Sequence, residues 1–171
     1  MLQGLKTEVT TLDKCEPGEL VRELTFPSLE GFSIVTRDAQ DETGAMWVLH
    51  LEQWMRAERV EDSEAVVVLR FLDPLLINVD HLDLVEIKAN RLFQEAGALV
   101  FSKHGHFLNA RIGMQGAGQG LLQVDLNTGL CRRYAEQLTG VYFGRWSVSV
   151  VPDKSTQLLP VMIYEHEVKL D

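Results

Sequence analysis

The chain has 171 residues, of which 46% are hydrophobic, and its 25 acidic against 16 basic side chains give a formal net charge of −9. That length suffices for one core that buries on the order of 70% of the unfolded surface, so a single domain over 1–171 is expected. No window approaches the roughly 18 apolar residues of a membrane span, and an acidic chain with singly scattered bases repels phosphate backbones, which excludes a membrane span and argues against nucleic acid.

From the N-terminus, residues 1–19 contain no apolar run resembling a signal-peptide core. Cys15 and Cys131 lie far apart and outside any Cys-x-x-Cys spacing, so a cytoplasmic protein with ordinary thiols is expected. Glu16-Pro17-Gly18 launches a first strand over Glu19 to Leu24, stopped by Pro27. Phe32, Ile34 and Thr36 alternate with Ser33, Val35 and Arg37 in a second strand, which the polar stretch Asp38 to Gly44 reverses into Met46 to Leu51. Trp47, Leu49 and Leu51 fit a strand, whereas Trp47, Leu51, Trp54 and Met55 fall on one helical face. The reading adopted is a strand passing into a short helix at 53–59. Val66 to Leu72, rich in β-branched residues and closed by Asp73-Pro74, is another strand.

The clearest helix is expected over 83–96, where Val85, Ala89, Leu92, Phe93 and Ala96 form an apolar stripe. Asp83 and Glu86 stand in capping-box positions, and Gly97 suits the residue just past the last turn. Strands follow at Ala98 to Lys103, Phe107 to Ile112, Leu121 to Leu126, Leu130 to Tyr134, Val141 to Val151 and Leu159 to Val168. The pair flanking Asn127-Thr128-Gly129 is a β-hairpin, because Asn and Gly accept the positive φ that reverses a twisted strand. The expected fold is α+β: a mainly antiparallel meander or partly open barrel, with one helix packed on it and no internal repeat.

Few residues suggest chemistry. His104-Gly105-His106 could present two imidazoles to a divalent transition metal, with His166, Glu165 or Glu167 as third ligand. Around it, Gly97 to Gly120 has a fragment of resemblance to the cupin metal motif, in which a glycine precedes His-x-His and a glutamate follows. Arg111 stands near the place of that glutamate and the second cupin motif is missing, so the family is not assigned. The plainer reading is an exposed hairpin tip. The glycines from Gly113 to Gly120 lack the Lys-Ser/Thr of a Walker loop and the third glycine of a dinucleotide fingerprint, and read as a connection. No Gly-x-Ser-x-Gly elbow occurs. Trp47, Trp54 and Trp146 could mark a recognition surface, although such residues more often fill a core.

Charge is unevenly placed. Residues 1–64 hold fourteen acids and six bases, and the remainder eleven and ten. Asp38, Asp41 and Glu42 crowd one expected turn, and Glu58, Glu61, Asp62 and Glu64 another. With Asp38, Asp41, Glu42, Glu61 and Asp62 as contact residues, the expectation is a non-enzymatic adaptor, chaperone-like or accessory protein that binds a basic protein partner, with homodimerisation as a further option. The alternative is a small-ligand or metal-binding protein built on His104, His106 and His166.

Overall fold

The computed structural model describes residues 5–24, 31–41, 44–79, 95–113, 120–133, 140–152 and 160–168. Among them lie fourteen strands: β1 (Thr7–Thr11), β2 (Leu20–Glu23), β3 (Phe32–Asp38), β4 (Met46–Leu51), β5 (Arg56–Arg59), β6 (Val67–Phe71), β7 (Leu75–Val79), β8 (Leu99–Ser102), β9 (Gly105–Ile112), β10 (Leu121–Asp125), β11 (Leu130–Arg133), β12 (Gly140–Phe143), β13 (Arg145–Val150) and β14 (Val161–Glu167). A single 3-10 turn at Leu12–Lys14 is the only helical element among the described residues.

Six strands close a barrel in the order β3-β11-β10-β9-β5-β4, with β3 and β4 completing the ring. Closure removes the free edges of an open sheet and requires strands to alternate between a buried inner face and an outer one. Ile34, Leu49, Ala57, Leu108, Ala110, Leu122, Val124 and Cys131 point inward and are at most 2% exposed. β2, β6 and β1 extend the sheet from β3, while β8 and β12 extend it from β9. A second sheet, β14-β13-β7, adds Trp146, Val148 and Val150 to the same core. β2, β6 and the 3-10 turn cover the outer face of β3 and β4, which creates a smaller core of Leu12, Cys15, Val21, Val35, Met46, Val48 and Val68.

The ladder pattern occurs twice. Leu20 pairs with Ile34 as Leu99 pairs with Leu108, and Val21 with Arg70 as Val100 with Tyr142. Ile34 faces Leu49, which faces Ala57, just as Leu108 faces Val124, which faces Cys131. The only two parallel junctions among the described residues are equivalent as well, Arg37 beside Leu130 and Arg111 beside Arg56. Loop hydrogen bonds repeat in step: Gly18 N–H donates to Val35 and Gly97 N–H to Asn109, while Ala39 N–H donates to Cys131 and Gly113 N–H to Ala57. Thus β2 to β6 and β8 to β12 are two copies of one unit, and β7 and β13, which follow each unit, pair with each other. The copies open alike, Glu16-Pro-Gly-Glu-Leu-Val21 and Glu95-Ala-Gly-Ala-Leu-Val100, with positive φ at Gly18 (91°) and Gly97 (84°).

These findings correct the expected architecture. The described residues form an all-β protein with a closed barrel and an internal repeat, in place of an α+β meander or partly open barrel with a packed helix and no repeat. The short helix at 53–59 is a turn followed by β5, since Met55 takes φ 43° and its carbonyl accepts from Arg111 N–H. The helix at 83–96 lies outside the described residues except for Glu95 and Ala96, which stand in a turn. The strand expected over Val141 to Val151 is two strands that break at Gly144 and enter different sheets.

Candidate functional site

On the first repeat a cleft of about 450 Å³ opens between the outer face of β3 to β5 and the layer formed by the 3-10 turn and β6. Its floor is apolar, with Leu12, Val21, Val48, Val66 and Val68, and its rim carries Glu23, Glu58, Glu61 and Asp62 with Arg59 as the one rim base. Strand alternation produces this arrangement: Val48 and His50 point outward while Leu49 and Leu51 enter the barrel. Burial, and then the nearby Glu58 charge, raise the pKa of the Glu23 carboxyl, so the rim carries like charges close together.

Across the cleft wall Ser33 Oγ lies 3.0 Å from His50 Nδ1, and His50 Nε2 lies 3.6 Å from Glu58 Oε2. The order Ser-His-Glu invites comparison with a nucleophilic triad, yet the geometry argues against one. Ser33 and His50 are direct cross-strand neighbours, and β3 is flanked by β2 and β4 at Ser33, so its ladder amides are not arranged as an oxyanion hole. Glu58 stands beyond hydrogen-bond distance of Nε2 and is also shared with Arg56 at 3.8 Å. Burial, reinforced by Arg56, lowers the His50 pKa and keeps the ring neutral at neutral pH. Both cysteines are buried, and desolvation pushes each thiol up to about 11, which leaves them protonated and poor nucleophiles.

The residues singled out from sequence are dispersed. Glu61 and Asp62 are exposed on the cleft rim. Asp38 is 6% exposed; Oδ2 meets Arg133 Nε at 3.2 Å and Oδ1 accepts from Gln40 N–H, so it braces the β3 to β4 turn from inside. Asp41 Oδ2 lies 3.6 Å from Arg59. Glu42 lies outside the described residues. His104 is exposed in the β8 to β9 turn, and His106 is exposed with its ring 4.3 Å from Phe101. His166 is buried on β14 in the other sheet, with Glu165 and Glu167 exposed beside it. Among the described residues no group of three or more His, Cys, Asp or Glu side chains is placed to hold a metal. Trp47 and Trp146 are core residues, whereas Trp54 is 56% exposed.

A polar cluster around His166 had no sequence signal beyond the residue itself. Tyr164 Oη lies 2.8 Å from His166 Nδ1, and the imidazole centroid is 5.3 Å from that of Trp146, whose Nε1–H donates to the Gly97 carbonyl at 2.7 Å. Burial depresses the His166 pKa from 6.5 to about 4. Above pH 6.5 the ring is neutral in both folded and unfolded chains; below it the unfolded chain takes up a proton that the fold resists. Stability is therefore expected to be full above pH 6.5 and to fall as pH drops toward 4, by on the order of 3 kcal/mol from this residue, with His50 adding in the same direction. Urea unfolding across that range should show the loss, and His166→Gln should reduce its slope; an unchanged slope would place the cause elsewhere.

No family model matches this chain, and no curated protein or solved structure is significantly similar to it. No helix among the described residues is long and apolar enough to cross a membrane.

Proposed function

We propose that the protein is a non-enzymatic binding module, an adaptor or accessory protein, that receives a partner segment combining aliphatic and basic side chains in the cleft beside β4 and β5. One observation carries this reading: a floor of valines and Leu12 beneath a rim of four carboxylates. An apolar side chain gains from leaving water on the floor, roughly 25 cal/mol per Å². A lysine or arginine beside it relieves the repulsion between Glu23 and Glu58. The uneven charge, with fourteen of the acids in residues 1–64, would speed the approach of such a segment.

A fluorescein-labelled peptide of alternating lysine and leucine serves as probe, with the glutamate and leucine counterpart as control. The lysine peptide should bind saturably and associate more slowly as salt rises, since exposed charges are screened beyond about 8 Å at physiological ionic strength. Reversing Glu61 and Asp62 to lysine should lower the association rate, and Val68→Asp, aimed at the floor, should abolish binding. Binding that ignores salt and both changes would rule the cleft out.

A further inference from the structure

A second pocket lies where the β4 to β5 turn, β9 and β14 meet, on different residues from the cleft. It measures about 180 Å³, and its walls include Trp54, Glu95, Arg111, His166 and Glu167. Four properties set it apart. Arg111, like Arg22 and Arg37, has no carboxylate within ion-pair distance among the described residues, and of the three it alone lines this pocket. Trp54 holds its indole 56% exposed on a tight turn, where the other two tryptophans are buried. Glu95 and Glu167 place two carboxylates on the same small cavity as that guanidinium. Finally, the buried His166 ring closes the back of the pocket, with its Nε2 packed over the Gly97 backbone.

The cavity is smaller than the roughly 300 Å³ at which pockets for drug-sized molecules begin, and it equals about six times the volume of a liquid water molecule. A compact ligand fits. Walls that offer one cation and two anions within that volume select a molecule carrying both charges, because a plain anion or cation would meet its own sign. We propose that this pocket binds a small zwitterion of the α-amino-acid class, its carboxylate on Arg111, its ammonium on Glu95 and Glu167, and its side chain against Trp54. The His166 ring, with Nδ1 engaged by Tyr164 and Nε2 packed over Gly97, forms a fixed back wall behind these charged groups.

The full chain is titrated with glycine, alanine, serine and leucine, with tryptophan emission and melting temperature as readouts. At least one of them should shift the emission saturably and raise the melting temperature. Arg111→Met should weaken that binding at least tenfold, and Trp54→Phe should remove the emission change while keeping the rise in melting temperature. N-acetylation or amidation of the same amino acid should weaken binding to a similar degree, since each removes one charge. If Arg111→Met loses its near-ultraviolet dichroism, Glu167→Gln at an exposed position takes its place. No saturable response to any of the four, equal binding of the acetylated or amidated forms, or full affinity in a folded Arg111 or Glu167 variant would overturn the proposal.

Discussion

Gly129→Val is expected to destabilise the fold by more than about 3 kcal/mol in urea unfolding, with Thr128→Ser within about 0.5 kcal/mol of the parent. Gly129 takes φ 70°, a conformation that costs a β-branched residue roughly 1 to 3 kcal/mol. Space adds more. A Cβ at this position would lie 2.2 Å from the Pro17 carbonyl carbon and 2.3 Å from the Gly18 nitrogen, and backbone cannot swing aside as a side chain can. The turn between β10 and β11 rests directly on the segment leading into β2, so widening it would push apart the β3 to β11 junction. Thr128 Oγ1 accepts from Leu130 N–H, a bond that serine retains. Equal stability of the two variants would show that the turn does not bear on Pro17.

The second large effect separates two glycines in equivalent places. Gly97→Ala would put a Cβ 1.8 Å from His166 Nε2, whereas at Gly18 the nearest atom is 3.8 Å away. Both have positive φ, so each substitution carries about 1 kcal/mol of backbone strain. Only Gly97→Ala must also evict a buried imidazole from its place against Trp146 and Tyr164, losing a hydrogen bond worth about 1 kcal/mol and good packing besides. The expected destabilisation is on the order of 3 to 4 kcal/mol for Gly97→Ala and about 1 for Gly18→Ala. Chemical denaturation of the two variants side by side measures the difference, and similar values would mean that the ring moves without penalty.

Much of the local grammar was legible in the sequence. The alternation at Phe32 to Arg37, Val66 to Leu72 and Leu121 to Tyr134 corresponds to β3, β6 and the β10 to β11 hairpin, and Gly129 carries the positive φ expected of that turn. Closure was not legible, because it depends on parallel contacts between residues distant in sequence and on β5, whose only apolar residue is Ala57. Trp47, Leu51, Trp54 and Met55 imitated a helical stripe. In fact the tight turn buries Met55 and turns Trp54 outward. The repeat did leave a trace in the two Glu-x-Gly-x-Leu-Val segments, but equivalent buried positions differ in polarity. Val35 and Val48 correspond to Asn109 and Gln123, which are buried and joined by a hydrogen bond. Asp38 was read as a surface acid since its partner Arg133 lies far along the chain. Glu61 and Asp62 could be singled out by charge, whereas the apolar floor beneath them required the covering layer.

The two parallel junctions have a consequence for descent. Each copy of the unit reaches across to the other to complete the barrel, β5 to β9 and β11 to β3, so a half-length polypeptide could close the ring only by pairing with a second molecule of itself. That is the arrangement left when a gene encoding a symmetric homodimer is duplicated and its copies fused. In such a dimer both outer surfaces would have to share one sequence. Fusion lifts that constraint: one half could keep valines at 35 and 48 beneath an acidic rim while the other acquired the amides of Asn109 and Gln123, giving a single molecule two unlike faces on one scaffold.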